Sequence, residues 1–287
     1  MRARGFVVLS GVAAAVVAGC AGAPGTAPAD GGTDDATEYG VQATVLQQGE
    51  DDPVLCLGGV MESFPPQCGG PTVAGLDWDE VADAQSASGT TWGTGWLVGT
   101  YDGETFTLTQ PVAAEPPAWA VPEQPGAEEM FPALCDDPYR GGDESFDPDD
   151  EEGFAARDAL LLAAEGLDGY ATSYVSDGSS AFNVVLASGH DAEAAHAALR
   201  EVWPGWLCVV ERDVPTRADT AAAQEALHSE DAGVEVLGSG TGVDGVLEVS
   251  VEVASDDVVA AVHEVVAPWL APEHVVVHGL LRPVPQG

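Results

Sequence analysis

The chain has to fold and stay soluble with almost no positive charge. Its 287 residues hold 48 aspartates and glutamates against eight basic residues, all of them arginine, for a net charge of −40 at pH 7. Yet 45% of the residues are apolar and the mean hydropathy is +0.05, so ordinary cores can be built, and the length suits about two domains. A wholly disordered acidic chain is thereby excluded. So is nucleic acid, whose phosphates need a basic stripe that eight scattered arginines cannot assemble. The acids are spread along the whole chain, which favours solubility in a salty habitat over attraction of a cationic partner or metal.

Met1-Arg2-Ala3-Arg4, an apolar run from Gly5 to Gly19 and then Cys20 make a secretory leader that is too short to span a bilayer. Val17-Ala18-Gly19-Cys20 resembles the lipobox of bacterial lipoproteins. In that family the cysteine becomes the lipidated first residue, so the resemblance implies that residues 1–19 are removed and that Cys20 carries a palmitate-type anchor. The protein would then sit on the extracytoplasmic face of the cell membrane. Losing Arg2 and Arg4 but no acid takes the charge from −40 to −42, which repels anionic wall polymers and lipid heads at low salt. Residues 20–38 are small, rich in Pro and Gly and free of aromatics, the composition of a flexible tether. No later segment is long and apolar enough to cross a membrane, so the chain is expected to be anchored rather than embedded.

Export also predicts the fate of the other cysteines. Cys56, Cys68, Cys135 and Cys208 are even in number, which argues for two disulfides in an oxidising compartment, and four cysteines allow three pairings. Neighbourhood in the chain favours Cys56 with Cys68 and Cys135 with Cys208. A zinc site would want two-residue Cys spacings, and none occurs.

Between residues 39 and 111, short β-branched and aromatic runs are divided by Gly and Pro: Val41–Leu46, Val54–Met61, Trp96–Thr100 and Thr105–Thr109. Asp102-Gly103 lies between the last two and signals a hairpin. These features predict a small β domain, with an open barrel as its architecture. Cys56-Leu57-Gly58, Pro65-Pro66-Gln67-Cys68-Gly69-Gly70 and Gly99-Thr100-Tyr101-Asp102-Gly103 resemble segments of uncharacterised exported proteins of high-GC Gram-positive bacteria. That resemblance implies an envelope location and supplies no activity. Residues 112–152 follow as a Pro-rich acidic interdomain linker, partly tied down by Cys135.

The remainder, residues 153–287, reads as a duplicated unit. Arg157, Ala163, Glu165 and Leu167 are echoed by Arg217, Ala223, Glu225 and Leu227; Asp191, Leu199 and Trp203 by Asp257, Val265 and Trp269; Arg212-Asp213-Val214-Pro215 by Arg282-Pro283-Val284-Pro285. Each unit, 153–213 and 214–285, reads helix, strand, strand, helix, strand. In the second, Ser255 is a helix cap, and Val258, Val262, Val265, Val266 and Trp269 fall on one helical face between strands Val246–Val253 and Val275–Leu281. Asp177-Gly178 and Asp244-Gly245 mark the hairpin turns. The expected fold is multidomain: the β domain, then an α+β two-layer sandwich of ferredoxin-like character.

Catalytic patterns are weak throughout. Gly238-Ser239-Gly240-Thr241-Gly242 lacks the spacing of a serine-nucleophile elbow and the Lys of a phosphate loop, and reads as a loose hairpin loop. His190 and His196 are misaligned on a helix, while His274 and His278 on one strand face are about 13 Å apart, too far for one ion. In the acidic stretch Asp143, Ser145, Asp147 and Asp149 alternate like calcium ligands. However, Pro148 replaces the required Gly and Phe154 the final Glu. No metal and no cofactor are expected. Trp78, Trp92, Trp96, Tyr101 and Trp119 gather near the β domain, where they either fill its core or stack on wall sugars. The expected function is that of a non-enzymatic interaction module in the cell envelope, contacting another envelope protein. A glycan- or cation-binding lipoprotein is the alternative, distinguished by tryptophans exposed in one patch, and a membrane-anchored hydrolase comes third.

Overall fold

The computed structural model describes residues 37–120 and 130–285. The leader, Cys20 and the tether up to residue 36 lie outside the described residues. The chain runs β1 (Glu38–Gln48), β2 (Val54–Cys56), β3 (Thr72–Ala74), β4 (Gln85–Ala87), β5 (Thr90–Tyr101) and β6 (Thr105–Leu108). It continues with α1 (Glu151–Glu165), β7 (Tyr170–Val175), β8 (Phe182–Ala187), α2 (Ala192–Arg200), β9 (Leu207–Arg212) and α3 (Arg217–Leu227). Last come β10 (Gly238–Thr241), β11 (Leu247–Val251), α4 (Asp256–Val266), β12 (Val275–Gly279) and β13 (Arg282–Pro283).

The β region is a closed barrel of five strands in the order β1-β2-β3-β6-β5, with β5 returning to β1. Closure comes from the length of the first strand: β1 and β5 pair antiparallel in unbroken register from Glu38↔Thr100 to Gln48↔Thr90. The expected open barrel is corrected on this point, because a pairing this long leaves no gap between first and last strands. Val41, Val45, Leu55, Val73, Leu97 and Phe106 fill the interior. Gly95 and Gly99 on the inward face of β5 allow close approach, since an added Cβ would meet the Val112 side chain at Gly95 and the Thr107 backbone and Phe106 ring at Gly99. The Asp102-Gly103 hairpin joins β5 to β6 as expected, with Gly103 at φ +103° and the Asp102 carboxylate accepting from the N–H of Thr105 at 2.8 Å.

Beyond the barrel lie, among the described residues, two separate three-stranded sheets, β7-β8-β9 and β10-β11-β12, and the four helices α1 to α4. In both sheets the first pair is antiparallel and the second parallel. The two sheets do not merge into the single helix-covered sheet that the sequence suggests. Local chemistry sets the helix starts: Asp150, Asp191, Thr216 and Ser255 each accept from a first-turn N–H. Leu160, Leu186, Leu199, Trp203 and Leu207 form one core, and Ala223, Leu247, Val249, Val262 and Val266 another.

The acidic stretch before α1 is tied down far more than a solvated linker would be. Besides the Cys135–Cys208 disulfide, the Pro138 carbonyl accepts from the N–H of Leu207 at 2.9 Å and from Arg200 at 2.9 Å. Phe146 meets Trp203 edge-on at 5.1 Å. Trp203 is fully buried as a result, whereas Trp269, its echo in the second unit, remains 40% exposed.

The end of the chain closes back on the barrel. β13 pairs with β1 through Tyr39↔Pro283 and Gly40↔Arg282, and Leu281 is buried in the barrel core. Tyr101 donates to Glu252 at 2.6 Å, a further bond between the two regions.

Candidate functional site

Strand alternation decides which aromatic side chains face outward. Leu97 on β5 and Val41, Ala43 and Val45 on β1 point into the barrel, so Trp92, Thr94 and Trp96 must point out. Their register partners on β1 are Leu46, Thr44 and Gln42, and those face outward as well. Trp92 meets the ring of Phe64 edge-on at 5.6 Å. Phe64 itself is 78% exposed on a loop closed by the Cys56–Cys68 disulfide. Thr44 and Thr94 hydroxyls lie 2.8 Å apart in the middle row. At the far end Trp96 meets Trp119 edge-on, their ring centroids 6.1 Å apart.

Trp119 reaches this wall because β1 has a glycine beneath it. A Cβ added at Gly40 would lie 2.5 Å from Cζ2 and 3.0 Å from Cζ3 of the Trp119 ring, so only glycine leaves the space the indole occupies. Trp96, Trp119, Leu57, Leu280, Gln42 and Arg282 line a groove of about 580 Å³, within the range of small-molecule sites. The groove opens where β1 changes partners on one edge: β13 pairs Tyr39 and Gly40, and β2 pairs Thr44 to Leu46. Among the described residues no strand pairs with residues 41–43 on that edge, which leaves backbone donors and acceptors facing the groove.

The structure divides the five aromatic candidates. It brings Trp92, Trp96 and Trp119 to the outer wall. Trp78 packs against the barrel core and donates from its indole N–H to Gln47 at 2.6 Å. Tyr101 also packs against the core. Burial first, and then its bond to the Glu252 carboxylate, push the Tyr101 phenol well above its ordinary pKa. Both cysteine pairs are disulfides, Cys56–Cys68 and Cys135–Cys208, as the spacing suggested. Cys20 lies outside the described residues.

The other candidates resolve into structure. Gly238–Thr241 is strand β10, paired with β11 from Gly238↔Ser250 to Thr241↔Leu247, which corrects the reading of this stretch as a loose loop. Pairing with a strongly apolar strand overrides the weak strand preference of glycine. Among the described residues no three His, Cys, Asp or Glu side chains are grouped to hold a metal ion. His228 Nε2 lies 3.0 Å from the Ser239 hydroxyl, but neither reading of that serine had pointed to the pair. Sequence reasoning also missed Phe64, Gly40 and Arg282. For Gly40 a signal was present, a lone glycine inside an otherwise strand-like run.

Comparison with protein-family models, with curated proteins and with solved structures yields no match to this chain.

Proposed function

We propose that this is an exported, lipid-anchored envelope protein whose barrel is a non-enzymatic binding module, and that the groove between Trp96 and Trp119 receives a saccharide. The observation that carries this reading is the convergence of two tryptophan rings and an unpaired strand edge on one 580 Å³ groove. A sugar ring offers an apolar C–H face to an indole and hydroxyls around its rim, which match the exposed Gln42 amide and the free backbone groups of residues 41–43. A closed five-stranded barrel is an architecture that also hosts oligosaccharide sites, although fold alone assigns no ligand. Two disulfides fit an extracytoplasmic address.

The second region carries a second reading. The equal order and sense of its two sheets support a duplicated α-β-β-α-β unit. In the second sheet Glu248, Val276 and His278 are exposed, whereas every residue of β8 in the first is buried. This open face supports contact with another envelope protein.

The test is a fluorescence titration of the full chain, purified from membranes in detergent, with soluble fragments of digested cell wall. Saturable quenching that is lost in both Trp96→Ala and Trp119→Ala is the expected result. Quenching that survives both changes would place binding elsewhere.

A further inference from the structure

We infer that the saccharide bears an anionic group, a carboxylate or a phosphate, which Arg282 receives; this rests on the groove being the binding site. The first ground is what the groove omits. The chain carries 48 acidic residues, yet among the described residues no carboxylate lines this cavity and Arg282 is its one charged residue. The second is how four of the five other described arginines are used; the fifth, Arg212, is exposed and meets no carboxylate within 4.0 Å. Arg140 meets Glu193 at 2.9 Å, Arg157 meets Asp149 at 3.8 Å and Arg217 meets Glu165 at 3.0 Å. Arg200 donates to the carbonyls of Gly205, Trp203 and Pro138. Among the described residues no carboxylate lies within 4.0 Å of the Arg282 guanidinium. Of Arg212 and Arg282, the two described arginines without such partners, Arg282 is the one that stands at the aromatic groove, and that position assigns it to the ligand.

Position supports the same conclusion. Arg282 is the register partner of Gly40, so its side chain leaves the sheet on the same side, about 5 Å from the spot over which the Trp119 ring lies. A ring held against Trp119 would bring a substituent within reach of the guanidinium, whose planar fork pairs with carboxylate and phosphate oxygens. The surrounding charge limits how many anionic groups can be tolerated. At −40 the surface repels an anionic polymer, but at physiological salt that repulsion fades beyond about 8 Å. The fitting ligand is therefore a mostly neutral glycan with one anionic sugar.

Calorimetric titration of the full chain in detergent tests this with three trisaccharides that differ only in the last ring: glucose, glucuronic acid and glucose 6-phosphate. At 150 mM salt at least one anionic probe should bind about tenfold tighter than the neutral one. Tighter binding of the carboxylate or of the phosphate identifies which anion the site takes. Arg282→Gln should erase the preference while leaving the neutral affinity intact, and Arg282→Lys should restore part of it. Equal affinities in the wild type, or a preference that survives Arg282→Gln, would overturn the role of Arg282 while leaving the groove as a sugar site. No binding of any probe would overturn the groove itself, and this inference with it.

Discussion

Gly40→Ala should disable the groove while leaving the barrel folded. Gly40 is not among the positive-φ glycines, so alanine is tolerated by the backbone, and restricting the unfolded chain contributes about 0.4–1 kcal/mol of stability. Against this stands the overlap: the new methyl would lie 2.5 Å from Trp119 Cζ2, whereas carbon atoms rest at about 3.5–4.0 Å. β1 is held by β5 across its whole length, so the indole rather than the strand must withdraw, by about 1.5 Å or more. Losing its edge contact with Trp96 costs about 0.5–1.5 kcal/mol. The two effects nearly cancel, and the melting temperature should move by no more than about 4 °C. Near-UV circular dichroism should lose the same band that Trp119→Phe loses, and saccharide affinity should fall about tenfold or more. A Gly40→Ala spectrum identical to wild type, beside a changed Trp119→Phe spectrum, would refute the idea that glycine seats the ring.

Other outcomes follow from the same structure. Replacing Cys135 and Cys208 by serine opens a loop of sequence separation 73 and should cost about 4 kcal/mol, against about 3 for Cys56 and Cys68 with separation 12; urea midpoints of the two double variants give the comparison. Partial burial opposes ionisation of Asp177, but the N–H groups of Ala181, Ser179 and Ser180 outweigh it and hold the carboxyl well below its ordinary range. A depressed pKa contributes stability above about pH 4 that is lost as pH falls, so Asp177→Asn should flatten the acid side of a stability profile between pH 5 and pH 2. Tyr101 has the opposite sign: burial and then Glu252 raise it, so its contribution is full below about pH 10 and lost above. Tyr101→Phe should therefore reduce the fall in urea midpoint between pH 9 and pH 11.5.

The parts that were legible in the sequence are those set by local chemistry. Ser255 caps α4, and Val258, Val262, Val265 and Val266 bury one face of it, as their spacing predicts. The division of Trp92 and Trp96 from Tyr101 follows from alternation only once β5 is known to run unbroken from Thr90 to Tyr101. What was not legible depends on long-range pairing. Barrel closure joins residues on two distant strands, and the Gly- and Thr-rich start of β5 has too little apolar pattern to announce itself. Composition reads residues 112–152 as a linker tied down only at Cys135, because the Pro138 hydrogen bonds and the Phe146–Trp203 contact that also hold it are made with residues far along the chain. The periodicity that puts Trp269 on the α4 face runs past Val266, where the helix ends, and Trp269 stays 40% exposed. Arg282 acquires meaning only when β13 returns to β1, a pairing that its sequence neighbours do not reveal.

The central claim is that the Trp96–Trp119 wall holds the ligand, and fluorine NMR of the 5-fluorotryptophan-labelled full chain addresses it directly. All seven tryptophans report at once, each assigned by substitution. On addition of the wall saccharide that quenches fluorescence, the resonances of Trp96 and Trp119 should shift in a saturable way, while Trp78 and the buried Trp203 stay fixed. Shifts centred on Trp269, or no shift at Trp96 and Trp119 at saturation, would contradict the account and move the binding surface to the second region.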